Sequence, residues 1–212
     1  MDPFIRSDQY HFIKQQTQIL INGHSTVNDG NVLQALKSLA KEKVVQLFEE
    51  LTEEQEELIQ PIINVQDTAD AEKFLATIVP YVVPFKSVSQ QAIKKLFPKA
   101  KKLKVPAIED MDLREISYLS WIDEGSSKKY LVAMLNNKLI GLQGSFKKIQ
   151  QKGICALCNK HEEVGLFLTE KKGEVRDTFI KKGNYICIDS LKCNQNLTSV
   201  DKLHEFIERV KK

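Results

Sequence analysis

Apolar residues in the N-terminal part of the chain recur three and four positions apart, which is the spacing of one face of an α-helix. The clearest stripe lies in a helix predicted to begin at Asp29, and it consists of Val32, Leu36, Leu39, Leu47, Phe48 and Leu51. Another helix is predicted after Thr52, because Gln55 completes a capping box three residues later. Together with a first helix capped by Asp2, these segments predict a small helical bundle over residues 1–97.

Beyond a lysine cluster that two prolines bracket, residues 98–106, the apolar period shortens to that of β-strands. The clearest hairpin has Asn136 and Asn137 at its turn, since asparagine tolerates the positive φ that such turns need. We therefore predict an α+β protein, with a helical bundle at 1–97 and a mixed α/β domain at 98–212.

The four cysteines of the chain all lie in its C-terminal part, in two close pairs. Cys155 and Cys158 form a C-x2-C pair, Cys187 and Cys193 form a C-x5-C pair, and 28 residues separate the two pairs. Zn²⁺ prefers nitrogen and sulfur donors and accepts a tetrahedron of four thiolates. The spacing therefore predicts one structural zinc site within residues 150–212.

The elements predicted around the cysteines follow the order of a treble-clef zinc finger. A knuckle at the first pair is followed by a hairpin, by the second pair at the start of a helical segment, and by a final helix capped by Thr198 or Ser199. In such a finger the metal fixes elements whose apolar faces are too small to hold themselves together.

Other uses of the cysteines fit the sequence less well. A redox C-x-x-C belongs at a helix N-terminus in a βαβ unit, whereas Cys155 follows a glycine turn. Iron–sulfur proteins usually show a compact triple spacing, and disulfides belong to oxidising compartments. His161 is a conceivable fourth ligand of a catalytic zinc, but four thiolates already close the shell. No nucleophile paired with a base and no phosphate-binding loop is evident, so we expect a protein that is not an enzyme.

Composition and charge bear on the class of protein, its compartment and its possible partners. The chain is 42% hydrophobic and 28% charged, as is usual for globular proteins. It has no apolar run near the roughly 18 residues of a membrane span and no signal peptide, so we expect a cytoplasmic protein. The net charge of +3 is uneven, since residues 1–97 carry 9 Lys/Arg and 13 Asp/Glu, whereas residues 98–212 carry 22 and 15. A basic second half suits RNA or an acidic protein surface, although lysines are also common on surfaces without a partner.

Apolar, aromatic and basic residues at the edges of the predicted finger are the candidates for contact with a partner. They are Ile154 beside the first cysteine pair, Lys182 and Tyr185 before the second pair, and Phe206 on the last helix. Such residues act as anchors in protein interfaces when a stable core holds them. The alternative is that Tyr185 and Phe206 pack the interior of the small domain.

The whole chain resembles the FusB-type fusidic acid resistance proteins, which are also called elongation factor G-binding proteins. The resemblance rests on the length of the chain, on a helical N-terminal part that opens with MDPFI, on YLSW at 118–121, and on the two cysteine pairs with KGNY at 182–185. One departure from the family pattern is the small Ala156 after the first cysteine, so an anchor there must come from Ile154 or Leu157.

The resemblance implies a two-domain protein whose treble-clef finger binds elongation factor G and releases it from the ribosome when fusidic acid has trapped it there. It also implies a structural zinc and a non-catalytic mechanism, in which binding favours a state of the factor that the ribosome holds less well. The alternative function is that of a nucleic-acid-binding zinc protein that uses the lysines of residues 99–104 and the basic face of the C-terminal part. The sequence offers no aromatic stacking platform for that alternative.

Overall fold

The computed structural model describes residues 1–100, 103–108, 111–175 and 177–211. Contacts within the chain divide it into two compact units, Met1–Val83 and Pro84–Lys212. In the described ranges, no helix is both long enough and apolar enough to cross a membrane.

The first unit, all of whose residues are described, consists of helices. The α-helices are α1 (Ser7–Thr26), α2 (Gly30–Val45), α3 (Glu53–Ile59) and α4 (Thr68–Ile78), and 3₁₀ helices cover Gln60–Asn64 and Val79–Tyr81. Their common core includes Ile13, Leu20, Val44, Ile59, Ile62, Phe74 and Ile78. The predicted capping box is confirmed, because Gln55 N donates to Thr52 Oγ1 at 3.3 Å and Thr52 N donates to Gln55 Oε1 at 2.9 Å.

The beginning of the chain differs from the prediction. Helix α1 starts at Ser7 and is not capped by Asp2. The backbone N–H groups of Phe4 and Ile5 both donate to Tyr81 O, at 2.9 and 3.0 Å, and these bonds hold the first residues against the end of the bundle. A tertiary contact therefore outweighs the local capping signal.

The predicted apolar stripe of α2 is wrong in part. Val32 and Leu39 are exposed, and the buried side chains of α2 are those of Ala40 and Val44. The sequence pattern favoured the larger side chains, but the face that packs closely is the one with the small alanine. A prediction from side-chain size alone therefore places the buried face of α2 a fraction of a turn away from the face that is buried in the structure.

In the described part of the second unit, the strands form one antiparallel sheet. They are β1 (Tyr118–Asp123), β2 (Lys128–Leu135), β3 (Lys138–Ile154), β4 (His161–Lys172) and β5 (Phe179–Cys187), and they lie side by side in sequence order. Helix α5 (Gln90–Leu96) precedes the sheet, and α6 (Ser190–Gln195) and α7 (Asp201–Lys211) follow it. The predicted turn between β2 and β3 is confirmed, since Asn136 and Asn137 have φ values of 48° and 58°.

Side chains of β1 and β2 alternate between two apolar cores, one on each face of the sheet. One core contains Tyr118, Leu131, Ala133, the four cysteines and Phe206 of α7. The other core contains Leu119, Tyr130, Val132, Ile93 and Phe97. Helix α5 therefore packs within the second unit, and the boundary between the units falls before it, whereas the sequence placed the boundary after Phe97.

Candidate metal centre

Three elements bring the cysteines together at one end of the sheet. Cys155 and Cys158 lie in the turn between β3 and β4, Cys187 is the last residue of β5, and Cys193 lies in α6. Cys155 N donates to Lys160 O at 3.0 Å and thereby closes the turn. Knuckle, hairpin and helix follow one another in the order of a treble clef.

The four sulfur atoms are spaced as the ligands of one zinc ion. The Sγ atoms of Cys155 and Cys193 are 3.7 Å apart, those of Cys158 and Cys187 are also 3.7 Å apart, and all four lie within 4.8 Å of one another. Tetrahedral zinc with Zn–S bonds of about 2.3 Å separates its sulfur ligands by about 3.8 Å. The cysteines are buried free thiols, so no disulfide links them. The donor set fits one structural Zn²⁺, and the predicted cofactor is confirmed.

Hydrogen bonding divides the thiols into easily and poorly ionised ones. Hydrogen bonds with the thiols of Cys158, Cys187 and Cys193 lower the pKa of Cys155. The backbone N–H groups of Leu157 and Cys187 also donate to Cys155 Sγ, at 3.4 and 3.3 Å. The pKa values of Cys187 and Cys193 are raised, chiefly by their hydrogen bonds with Cys155. Zinc takes the place of these protons when it binds.

Two polar side chains position helix α6, which carries the last ligand. Asp189 caps the helix by accepting hydrogen bonds from two backbone N–H groups of its first turn, at 2.9 and 3.1 Å. Asn194 is 1% exposed and accepts from Ser117 N at 2.8 Å and Tyr118 N at 3.2 Å. Its amide also donates to Tyr118 O at 3.0 Å and to Ser190 O at 2.9 Å. The helix is therefore fastened to the start of β1.

Two residues of β1 and β2 face the cysteines from the sheet. Burial raises the pKa of Tyr118 well above its usual value, and the charge and hydrogen bonding of Cys193 raise it further. Lys129 is 1% exposed, and its Nζ donates to Ile188 O at 2.9 Å and to Ser190 Oγ at 3.0 Å. Burial lowers the pKa of Lys129 to about 8, and the negative charge that the cysteines carry as thiolates opposes this. The contacts of these two residues are not evident from the sequence. Lys129, for example, lies 59 positions before its hydrogen-bond acceptor Ile188.

Two of the predicted contact residues lie exposed beside the knuckle. Ile154 is 58% exposed and Tyr185 is 42% exposed, and the N–H of Ala156 donates to Tyr185 O at 2.8 Å. Leu191, in the first turn of α6, is another exposed apolar side chain near the ligands. The sequence signal that points to Leu191 is its position between the cysteines of the second pair.

The other two predicted contact residues lie elsewhere. Lys182 is half-buried and pairs with Thr169 of β4. Because side chains alternate along a strand, Lys182, three positions before Tyr185, lies on the opposite face of β5. Phe206 is 2% exposed, with its ring centre 5.8 Å from that of Phe167. It is a core residue of α7, and this burial conflicts with its prediction as a contact residue. His161 is exposed at the start of β4 and lies outside the cysteine cluster.

A helical unit followed by an antiparallel sheet with a four-cysteine centre defines the protein as one of the treble-clef zinc-finger class. Residues 4–86 match the family described as elongation factor G-binding protein, N-terminal, and residues 93–210 match the FBP C-terminal treble-clef zinc-finger. Among solved structures, that of the fusidic acid resistance protein FusC is similar, with a TM-score of 0.85 and 33% identity over 98% of each chain. No curated protein sequence matches the chain.

The chain therefore belongs to the family of FusB-type elongation factor G-binding proteins. Its fold class is that expected from the sequence, α+β with a C-terminal treble-clef zinc finger.

Proposed function

We propose that this chain binds elongation factor G, promotes its release from the ribosome, and can thereby protect translation from fusidic acid. The observation that carries the proposal is the match of residues 4–86 to the N-terminal domain of elongation factor G-binding proteins, followed by the match of residues 93–210 to the FBP C-terminal treble-clef zinc-finger. The likeness to the fusidic acid resistance protein FusC over 98% of each chain supports the same function.

The proposed action is binding without catalysis. A protein that binds one state of elongation factor G more tightly than another shifts the factor toward that state, by as much as the two affinities differ. The factor leaves the ribosome when the favoured state is the one that the ribosome holds less well. Such a protein acts in proportion to its amount and leaves the drug unchanged.

We place the contact with the factor on the exposed apolar residues beside the zinc centre, namely Ile154, Tyr185 and Leu191. Their exposure, 58%, 42% and 54%, leaves these side chains available to a partner. The metal and the hydrogen bond between Ala156 N and Tyr185 O fix the backbone beneath them, which lowers the entropy lost on binding. Lys182 adds a positive charge from the other face of β5, and Phe206 supports the sheet from within.

The test is a pull-down of purified elongation factor G with the zinc-loaded full-length protein. Ile154→Ala and Tyr185→Ala are each expected to weaken binding on the order of tenfold, since anchor side chains contribute this much. Val175→Ala is the matched control, because Val175 is 69% exposed in the turn between β4 and β5, away from the ligands. Failure of the unmodified protein to retain elongation factor G contradicts the proposal.

Release is tested separately from binding. Ribosomes that carry elongation factor G trapped by fusidic acid are sedimented with and without the protein, and the factor is expected to move to the supernatant in proportion to the protein added. The nucleic-acid-binding alternative predicts association with RNA that weakens steeply with salt. Lys101 and Lys102, which belong to the lysine cluster of that alternative, lie outside the described residues.

A further inference from the structure

Lys129 is a buried charge in strand β2. Its side chain shares a face of the sheet with Leu131 and Ala133, which belong to the core that contains the cysteines. Only 1% of Lys129 is exposed, whereas the preceding residue, Lys128, is exposed. Taking an ammonium group out of water is unfavourable unless a nearby charge compensates for it. The position of Lys129 therefore requires an explanation.

The groups in contact with Lys129 Nζ are neutral. It donates to Ile188 O at 2.9 Å and to Ser190 Oγ at 3.0 Å, and it lies 5.1 Å from the centre of the Phe146 ring. Both hydrogen-bond acceptors belong to the short segment between the ligands Cys187 and Cys193. The groups that act on Lys129 when they carry negative charge are the sulfur atoms of Cys193, Cys187 and Cys155, as thiolates, and the carboxylate of Asp189.

We infer that Lys129 is the counter-charge of the zinc centre. Four thiolates and one Zn²⁺ together carry a double negative charge, and one buried ammonium group halves it. The same ammonium group holds the backbone at Ile188 and thus the segment that joins two of the ligands. Strand β2 lies before the first cysteine in the chain, so the metal site extends beyond the treble clef itself. This inference concerns the metal alone and does not depend on elongation factor G.

The inference makes the burial of Lys129 and the binding of zinc depend on each other. Without the metal, no ion holds the four thiolates together, and the ammonium group lies buried without that fixed negative charge beside it. Replacing Lys129 by a neutral side chain of similar length therefore has opposite consequences in the two forms. It weakens zinc binding, and it removes an uncompensated buried charge from the zinc-free protein.

The test measures the zinc affinity of full-length variants by competition with a chromophoric chelator. K129M is expected to lower the affinity by about 10- to 100-fold, the usual effect of residues that surround metal ligands. K128M removes the same charge from the neighbouring exposed position and is expected to change the affinity by less than about twofold. K129R keeps the charge and is expected to restore most of the affinity.

A second measurement separates a counter-charge from a side chain that only fills space. Zinc-free K129M is expected to unfold at a denaturant concentration no lower than that of the zinc-free unmodified protein, whereas a lost packing contact lowers it. In the cobalt-substituted protein, the thiolate-to-metal charge-transfer band is expected to move to longer wavelength in K129M and to stay in place in K128M.

Zinc affinity and a charge-transfer band that are both unchanged in K129M overturn the inference. If K129M does not fold, the zinc affinities of K129R and K129Q are compared in the same assays. A clear preference for the charged K129R supports the inference, and equal zinc affinities of the two variants contradict it.

Discussion

The cysteine thiols lose their protons when zinc binds, and two of them hold those protons tightly. The pKa values of Cys187 and Cys193 lie above the usual value, chiefly because of their hydrogen bonds with Cys155, whose own pKa is lowered. Near neutral pH the zinc-free protein therefore keeps protons on Cys187 and Cys193. Zinc binding releases these protons, which makes its affinity depend on pH.

We expect the affinity for zinc to rise with pH. Protons compete with the metal for the sulfur atoms, so a lower pH favours the zinc-free form and a higher pH favours the zinc-bound form. Through neutral pH the logarithm of the affinity is expected to gain at least about two per pH unit, because the thiols of Cys187 and Cys193, whose pKa values are raised, each release a proton. Chelator competition at a series of pH values, corrected for protonation of the chelator, measures this slope. An affinity that does not change with pH contradicts the assignment.

At the scale of secondary structure elements, the side chain of Asn194 attaches α6 to β1. The amide of Asn194 accepts from two backbone N–H groups at the start of β1 and donates to Tyr118 O and Ser190 O. Because the site is buried, removal of the amide leaves these backbone groups without a replacement partner. The position of Cys193, in the same helix, depends on this attachment.

We expect Asn194→Ala to lower the free energy of unfolding of the zinc-loaded protein by about 2–4 kcal/mol, the cost of buried polar groups that lose their partners. Asn196→Ala is the control, because Asn196 Nδ2 makes a hydrogen bond of 3.1 Å to the partly exposed Glu162. Its expected cost is below about 1 kcal/mol. Denaturant unfolding followed by circular dichroism measures both values. Equal losses in the two variants contradict the attachment of α6 through Asn194.

Local features of these elements were predictable, and contacts between distant ones were not. The turn at Asn136 and Asn137 follows from the φ values that asparagine tolerates, and the four ligands follow from cysteine spacing. The capping box at Thr52 is equally local. Lys129 and Asn194 look like ordinary polar residues in the sequence, because their contacts lie 59 and 76 positions away. Burial of such residues depends on the sheet topology, which periodicity alone does not determine.

At the scale of the whole molecule, the metal belongs to one of the two units. The described residues of the first unit have an apolar core of their own, which includes Ile13, Val44 and Phe74. All four cysteines belong to the second unit, where zinc joins the turn after β3, the end of β5 and α6. Loss of zinc therefore acts directly on one unit only.

We expect removal of zinc by a chelator to raise hydrogen exchange at residues 155–160, at the end of β5 and in α6, while α1 to α4 keep their protection. The reason is that the helices of the first unit have their own core, whereas elements at the metal lose the bond that joins them. Exchange measured by mass spectrometry on the full-length protein shows both units at once. Cys193→Ser, which lacks one ligand, is expected to show the same pattern without chelator.

Equal loss of protection in both units contradicts this prediction, because it means that zinc stabilises the chain as a whole. The same samples test where elongation factor G binds. The proposed contact residues Ile154, Tyr185 and Leu191 lie beside the ligands, so the chelated protein is expected to lose the factor in a pull-down while its first unit stays folded. If the chelated protein still retains the factor, we conclude that the contact lies on the helical unit.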